Sequence, residues 1–164
     1  MIRPFLAWPD SRLRTAAAPV DAITDEIRTL WADMVETMDK MPGVGLAAPQ
    51  IGVMLQVAVV DASTTRNRRI LLANPSILDA STELVLGTEA SPNLPGVSAK
   101  IKRPKTVTVR FLNEAGTVDR RTFEGMEARS VQHQIDHLAG RMYFDRLSRV
   151  RRDMLLRKAA KVSA

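Results

Sequence analysis

The segment that most constrains this fold lies in the second half of the chain. Apolar and polar side chains alternate over residues 105–112, and residues 113–116 (NEAG) have the composition of a turn. Residues 117–123 then return with strand-forming residues. Because successive side chains of a strand point to opposite faces, the apolar residues of the first strand share one face. The pattern therefore predicts an antiparallel hairpin with one face on the core.

Three segments have the apolar spacing of amphipathic helices. Residues 24–41 repeat apolar side chains every three or four positions, and Thr24 is the expected N-cap. Residues 126–138 follow the same spacing and end before Gly140, a suitable C-terminal stop. Residues 148–161 begin at a serine that suits an N-cap. The apolar stripe expected on this last helix consists of Val150, Met154, Leu155 and Val162.

Two further segments, residues 53–60 and 70–78, have the composition of buried strands. The pair Asn74 and Pro75 predicts a bend in the second of these, or a place at a sheet edge, because proline cannot donate to a ladder. The order of helix, strands and helix, with short turns between strands, predicts an α+β fold with largely antiparallel pairing. At 164 residues the chain has the size of one domain, and we expect a single domain over residues 1–164.

Charge is concentrated at the C-terminal end of the chain. Residues 141–164 contain eight basic and two acidic residues, which accounts for the whole formal net charge of +6. Acidic and basic residues balance over residues 1–140, and the helix over 148–161 is basic. This distribution indicates a local contact with an anionic partner rather than a nucleic-acid-binding domain. No aromatic residue accompanies the basic residues of that helix, which argues against base stacking and sequence-specific recognition of nucleic acid.

Composition excludes several classes of protein. The chain has no cysteine, so disulfides, thiolate metal sites and cysteine nucleophiles are excluded. Apolar runs are too short for a transmembrane helix, which needs about 18 or more residues. The N-terminal residues lack the apolar core of a secretory signal. We therefore expect a cytoplasmic protein with no membrane partner.

The chain's two histidines, His133 and His137, lie four residues apart in the second predicted helix. Side chains at this spacing lie one above the other, so both imidazoles can reach a single metal ion. The spacing alone also fits two unrelated surface or core histidines. Zinc hydrolases with this pattern carry a glutamate directly after the first histidine, as general base. Here that residue is Gln134, whose amide cannot accept a proton.

Three segments resemble, in order, the motifs of the peptide deformylase family. Residues 43–50 (GVGLAAPQ) resemble the motif GxGLAAxQ, residues 89–95 (EASPNLP) lie where the family has EGCLS, and residues 132–138 (QHQIDHL) lie where it has QHExDHL. The resemblance covers essentially the whole chain. It implies a compact α+β domain in which antiparallel sheets surround a central helix that carries both histidines. It also implies an iron(II)- or zinc-dependent hydrolase that removes N-formyl groups from nascent peptides.

The residues at the family's catalytic and metal-binding positions depart from its pattern. His133 and His137 match two metal ligands, whereas Ser91 replaces the cysteine ligand, and a neutral hydroxyl is a poor substitute for a thiolate. Gln134 replaces the catalytic glutamate. Gln50 matches the side chain that holds the developing oxyanion, but the second donor, a backbone N–H, is missing at Pro92.

Other expected site residues come from the first motif and from the pocket for the substrate's methionine. Gly45 of the first motif is placed with the catalytic residues; the alternative is that it supplies only a turn. Val44 and Met126 keep the apolar character of the pocket. Gly87 lies where a branched apolar residue is common, and Arg129 lies where the family has an apolar wall.

Three polar residues have competing interpretations. The head of Arg129 is expected either to pair with an anion or with Glu89, or to reach solvent. Gln50 is either a ligand contact or a structural hydrogen-bonding group. Asp136 is either a carboxylate that orients a ligating histidine or a solvated helix residue. Arg103, which follows two lysines, is interpreted as an edge-blocking charge on a strand. The methionines at helical spacing are interpreted as core residues.

These observations predict a peptide deformylase-like protein that keeps the fold but lacks efficient deformylase activity. No cofactor is firmly expected; the most we expect is a weakly bound Fe²⁺ or Zn²⁺ at His133 and His137. One alternative is a metal-dependent hydrolase that removes formyl groups or acts on a related amide. Another is a binding module in which the cleft captures the N-terminus of a nascent peptide. The basic helix would then contact ribosomal RNA, as the C-terminal helix does in some bacterial deformylases.

Overall fold

The computed structural model describes residues 1–163, and its elements follow the predicted order. The helices are α1 (Asp25–Lys40), α2 (Gly125–Leu138) and α3 (Arg149–Ser163). The strands are β1 (Gly45–Ala47), β2 (Val57–Val60), β3 (Ile70–Ala80), β4 (Leu84–Glu89), β5 (Ala99–Pro104), β6 (Thr106–Leu112) and β7 (Val118–Glu124). Short 3₁₀ turns are Ser11–Arg14, Ala48–Ile51 and Tyr143–Arg146.

The strands form two antiparallel sheets. A five-stranded sheet has the order β1-β2-β3-β6-β7, and β4 pairs only with β5 in a second, two-stranded sheet. The predicted hairpin is β6 and β7, in which Leu112 lies opposite Val118. Its inward residues Val107, Val109 and Phe111 are buried at alternate positions. The predicted α+β class with antiparallel pairing is therefore confirmed.

One detail of the predicted strands is wrong, and for another the structure decides between two alternatives. The strand expected over residues 53–60 covers only Val57–Val60, because the chain leaves the 3₁₀ turn through Gly52 in a left-handed conformation (φ +83°) and extends later. The Asn74 bend is present, but β3 lies between β2 and β6 rather than at an edge. The register shifts between Ala73 and Ser76, which is a bulge that accommodates Pro75 without a ladder hydrogen bond.

Helix α1 buries one side against the five-stranded sheet. Thr24 caps it, since the Oγ1 of this residue accepts from the backbone N–H of Ile27 (3.3 Å). Trp31 donates its indole N–H to the carbonyl of Ala58 on β2 (3.1 Å). Met34 and Met38 are fully buried, which confirms their interpretation as core residues. Helix α1 thus packs against β1 and β2.

Helix α2 is the central element. It contacts β1, β2 and β7 of the large sheet and β5 of the small one, so it is buried around most of its circumference. It ends at Leu138, and two residues later Gly140 has a φ of +78° and an added Cβ would lie 2.8 Å from the carbonyl carbon of Thr15. Glycine is therefore needed there both for the turn and for the close approach. Polar residues of α2 are consequently held inside the protein, where they build the site.

The stripe predicted for α3 is mostly wrong. Leu155 is buried, but Val150, Met154 and Val162 are each more than half exposed. The helix packs on the turn Tyr143–Arg146 through Leu155 and Ala159 instead. Ser148 precedes the helix and accepts from the N–H of Arg151 (3.3 Å), as expected for an N-cap. None of the helices in the described part of the chain has the length and apolar character needed to cross a bilayer.

Candidate functional site

A cleft of about 450 Å³ opens between α2, the chain around β1 and the segment that follows β4. It brings together most of the site residues expected from the sequence. Those that line it are Val44, Gly45, Gln50, Glu89, Ser91, Pro92, Met126, Arg129, His133 and Gln134. His137 lies behind the cleft wall, fully buried, and Gly87 does not line the cleft.

The two histidines face each other through their Nε2 atoms, which are 3.1 Å apart. The Nδ1–H of His133 donates to Glu89 Oε1 (2.8 Å), because a carboxylate can only accept. Burial, with the neighbouring His133 and Arg103, lowers the pKa of His137 well below its ordinary value. The Nδ1 of His137 is buried without a hydrogen-bond partner among the described residues. The spacing in the sequence thus brings both rings to one place, with the ring of His133 oriented by a carboxylate.

Glu89 is held by two arginines as well as by His133. Arg103 donates to both of its carboxylate oxygens, from Nε (2.6 Å) and from Nη2 (2.8 Å). Arg129 donates from Nη1 (2.7 Å). Burial pushes the pKa of Glu89 upward, but hydrogen bonds from Arg103 and His133 outweigh it and lower the pKa to about 2. Glu89 is therefore a carboxylate whose lone pairs are already used.

Arg103 connects this carboxylate to a second one. The Nη1 of Arg103 donates to Asp136 (2.9 Å), and Arg146 donates to the same residue through Nε and Nη2 (both 2.7 Å). Arg103 is only 1% exposed, so its interpretation as an edge-blocking charge is wrong. Asp136 is also buried, so its interpretation as a solvated residue is wrong as well.

The sequence did contain a signal for the inward position of Arg103. Ile101 precedes it by two residues on β5, and residues two apart on a strand share a face. Ile101 is buried, and Arg103 lies beside it on that face. An arginine on the apolar face of a strand requires acidic partners, which are Glu89 and Asp136.

Arg129 lies at the position where the family resemblance implies an apolar pocket wall. Its Nη2 donates to the carbonyl of Val85 (2.7 Å), and its Nη1 donates to the carbonyl of Ile101 (2.9 Å) besides Glu89. An added Cβ at Gly87 would lie 2.6 Å from the guanidinium carbon. The glycine thus makes room for the arginine, which explains why Gly87 is absent from the cleft wall. Of the alternatives for Arg129, the structure has the pairing with Glu89.

This close approach leads to a stability prediction for Gly87→Ala. The added methyl group requires the guanidinium to move, which breaks hydrogen bonds to Val85 and Ile101, so we expect a loss of about 1–2 kcal/mol in unfolding free energy. Urea denaturation measures it. In an Arg129→Leu background the same substitution should change stability by less than about 0.5 kcal/mol. Equal losses in both backgrounds would contradict the proposed contact.

Gln50 and Ser91 belong to a hydrogen-bonded group centred on Asn93. Gln50 Nε2 donates to Asn93 Oδ1 (2.8 Å) and Ser91 Oγ (3.3 Å), and its Oε1 accepts from the N–H of Ala47 (2.9 Å). Ser91 Oγ donates to the same Asn93 oxygen (3.1 Å). No role was predicted for Asn93, although it lies within the middle motif. Gln50 and Ser91 both face the cleft, but hydrogen bonds within the protein already use their polar atoms.

Gln134 and Gly45 both line the cleft and lie directly against each other. A Cβ on Gly45 would be 2.5 Å from Gln134 Nε2 and 2.4 Å from Ser130 Oγ, so glycine is required there for close approach. The Oε1 of Gln134 is buried and has no hydrogen-bond partner among the described residues. It can accept a hydrogen bond from a ligand N–H, but an amide oxygen does not take up a proton near neutral pH.

The residues around the histidines do not fit a tightly held divalent cation. Tetrahedral zinc would separate two imidazole nitrogens by about 3.3 Å, close to the distance between the two Nε2 atoms. The residue at the third ligand position implied by the family resemblance, however, is Ser91, whose neutral hydroxyl donates to Asn93 and is a poor substitute for an anion. Within residues 1–163, no group of three or more His, Cys, Asp or Glu side chains is arranged to hold a metal ion. The adjoining ion pairs join two carboxylates to three guanidinium groups, which leaves a positive charge that disfavours a cation.

Comparison with known proteins gives one consistent result. The family model described as polypeptide deformylase matches residues 2–153. A Rhizorhabdus wittichii protein named peptide deformylase is 40% identical over 168 residues, covering 98% of this chain and 94% of that protein. A Bradyrhizobium diazoefficiens protein named peptide deformylase-like is 39% identical, covering 99% and 95%. The crystal structure of a peptide deformylase from Legionella pneumophila has a TM-score of 0.93 and 38% identity, covering 99% and 96%.

Proposed function

The chain belongs to the polypeptide deformylase family. We propose that it keeps the family's fold and peptide cleft but lacks efficient deformylase activity. Membership of this family makes a metal-dependent amide hydrolase the natural comparison. The proposed lack of activity rests on the side chains that line the cleft. Three departures support it, at Ser91, Pro92 and Gln134.

The main support for the proposal is the lack of a free carboxylate among the described residues that line the cleft. Among the described residues lining the cleft, the titratable ones are Glu89, Arg129 and His133. Glu89 accepts from two arginines and from His133, and its pKa of about 2 keeps it a poor base. Gln134 lies where the family resemblance places the catalytic glutamate. Loss of a general base typically lowers a rate by about 10²- to 10⁴-fold.

The groups that would hold a developing oxyanion are also reduced. Pro92 has no backbone N–H to donate. Both donated hydrogen bonds of Gln50 go to protein acceptors, on Ser91 and Asn93. Removal of one such donor typically lowers a rate by about 10²- to 10³-fold. The two losses need not multiply, because groups that act together are not additive.

The cleft itself remains open, and we propose that it binds the N-terminus of a peptide. Val44 and Met126 line it with exposed apolar surface, which suits a peptide side chain. Titration calorimetry with formyl-Met-Ala-Ser, followed by mass spectrometry of the recovered peptide, tests this. We expect saturable binding with the formyl group retained.

Matched variants localise that binding to the cleft. Met126→Asp should weaken it about tenfold or more, because the substitution puts an acid on apolar surface that would contact the peptide. Val118→Asp, at an exposed position on β7 outside the cleft, should leave it unchanged. Loss of peptide binding in both variants would contradict a peptide-binding cleft, and so would a wild-type protein that does not bind the peptide.

A second candidate is a hydrolase of formyl or related amide groups with a weakly held metal. The 3.1 Å separation of the histidine Nε2 atoms favours it. The zinc content of protein dialysed against micromolar zinc separates the candidates. The second candidate function requires about one equivalent of zinc per chain, which should be lost in His137→Ala. The first candidate function predicts much less than one equivalent of zinc in the wild type.

We also propose a cytoplasmic location and contact between α3 and ribosomal RNA. Arg149 and Arg157 are exposed on this helix, whereas Arg152 is less suited because it pairs with Asp145 (3.3 Å). Co-sedimentation with ribosomes should be salt-sensitive and weakened in Arg149→Glu/Arg157→Glu.

The matched control for this prediction reverses two exposed charges on the β6–β7 hairpin. Arg110→Glu/Arg120→Glu changes the net charge by the same amount at cross-strand neighbours, and it should sediment with ribosomes as the wild type does. Equal losses from the two double variants would show a non-specific charge effect and would reject the assignment to α3.

A further inference from the structure

A groove lies between β5 and α3, and it shares no lining residue with the cleft. It consists of two adjoining hollows of about 290 and 280 Å³. Lys100, Leu147 and Arg151 line both hollows, so they form one continuous depression. We call this depression the β5–α3 groove.

The floor of the β5–α3 groove is apolar. It is formed by side chains from β4, β5, the segment before α3 and α3 itself, namely Leu86, Ile101, Leu147, Met154 and Leu155. Leu86 is 52% exposed and Met154 is 62% exposed. Two large apolar side chains on one depression provide surface that a partner's apolar groups can cover.

The two sides of the groove are positively charged. Lys100 and Lys102 stand on β5, and Arg151 and Lys158 stand on α3. Over residues 1–163, none of these four has an acidic partner within ion-pair distance, and neither hollow is lined by an acidic residue. The fifth basic residue, Arg146, is paired with Asp136. Four unpaired cations beside an apolar floor attract a ligand that is both acidic and apolar.

We infer that the β5–α3 groove binds an extended acidic segment of a partner protein, with leucine-like side chains on its floor and carboxylates against Lys100, Lys102, Arg151 and Lys158. From Arg151 to Lys158 the helix rises about 10 Å. An extended chain covers that distance with about three or four residues. Alternate side chains of such a segment point to opposite faces, so leucines at every second position face the floor. The glutamates between them point away from the floor, where the long, exposed lysine and arginine side chains of the two sides can reach them.

Other occupants match these observations less well. No aromatic side chain lines the groove, so it lacks the stacking surface with which proteins hold single-stranded RNA bases. The phosphate backbone of RNA has no apolar group to cover Leu86 and Met154. A second copy of this chain carries the same net charge of +6, which opposes self-association at a basic groove.

The experiment measures fluorescence polarisation of a labelled octapeptide in which glutamate and leucine alternate. We expect saturable binding to the full chain that weakens about tenfold in Lys100→Glu/Arg151→Glu, because each reversal replaces an attraction by a repulsion. Met154→Ser should also weaken binding several-fold, since it removes exposed apolar contact surface. Circular dichroism of each variant verifies that the fold is kept.

Controls separate this groove from general electrostatics. Arg149→Glu/Arg157→Glu reverses the same number of charges on α3 outside the lining residues, and should change the peptide affinity less than about threefold. A peptide with glutamine in place of glutamate should not bind. The inference is overturned if both double variants weaken binding equally, if the octapeptide does not bind, or if a ten-nucleotide RNA binds more tightly through Lys100 and Arg151.

Discussion

Arg103→Met is expected to lower the free energy of unfolding by about 3–5 kcal/mol, the range for breaking a buried ion pair. Arg103 bridges Glu89 and Asp136 at distances of 2.6–2.9 Å and is almost completely excluded from solvent. Methionine fills part of the volume but leaves two buried carboxylates with fewer donors. Urea denaturation monitored by circular dichroism measures the change.

Two control variants separate the loss of the bridge at Arg103 from the loss of a positive charge on β5 and from the loss of the planar guanidinium group. Lys102→Met, one residue earlier on β5 and exposed, should change stability by less than about 0.5 kcal/mol. Arg103→Lys keeps the charge but not the planar fork that reaches both carboxylates, so we expect an intermediate loss. A stability for Arg103→Met similar to that for Lys102→Met would show that the bridge does not contribute to stability.

The double substitution Ser91→Cys/Gln134→Glu is expected to raise deformylation by about 10²- to 10⁴-fold over the wild type when zinc or iron(II) is supplied. The thiol gives the histidine pair an anionic third donor, and the glutamate gives the cleft a proton acceptor. Formate release from formyl-Met-Ala-Ser measures it. Activity should stay below that of the R. wittichii relative, because Pro92 lacks its N–H and Arg129 still covers Gly87.

The control for this reversion is Ser91→Ala/Gln134→Glu, which supplies the base without the thiolate. It should bind no more metal than the wild type and should release formate more slowly than the cysteine-containing variant. If the cysteine-containing variant were as active as the relative, Pro92 and Arg129 would be unimportant. If it gained nothing, the explanation based on Ser91 and Gln134 would be wrong.

The periodic parts of the fold were predictable from the sequence. The β6–β7 alternation and the cap at Thr24 are local patterns, and the structure has both. The stripe on α3 was not predictable, since which of its apolar residues are buried depends on where the turn Tyr143–Arg146 packs. Strand β4 was also missed, because exposed residues such as Leu84 and Leu86 obscure its alternation; of β5, only a strand around Arg103 was predicted.

The position of the histidines in the site was predictable, and the pairing of Arg129 with Glu89 was one of the expected alternatives, whereas the partners of Arg103 were not predicted. The i, i+4 spacing alone brings His133 and His137 together. The partners of Arg103 and Arg129 depend on three separate elements meeting at Glu89. A long arginine side chain can pack against apolar surface or pair with a distant acid, and only tertiary structure decides between these outcomes.

The most direct test of the central claim, that this cleft does not support efficient hydrolysis, is the rate of formate release by the wild-type protein. The assay uses saturating formyl-Met-Ala-Ser with zinc, nickel or iron(II), and the R. wittichii relative as positive control. We expect turnover at least about a hundredfold below the usual enzyme range of roughly one to 10³ per second. Turnover of about one per second or faster would contradict the claim.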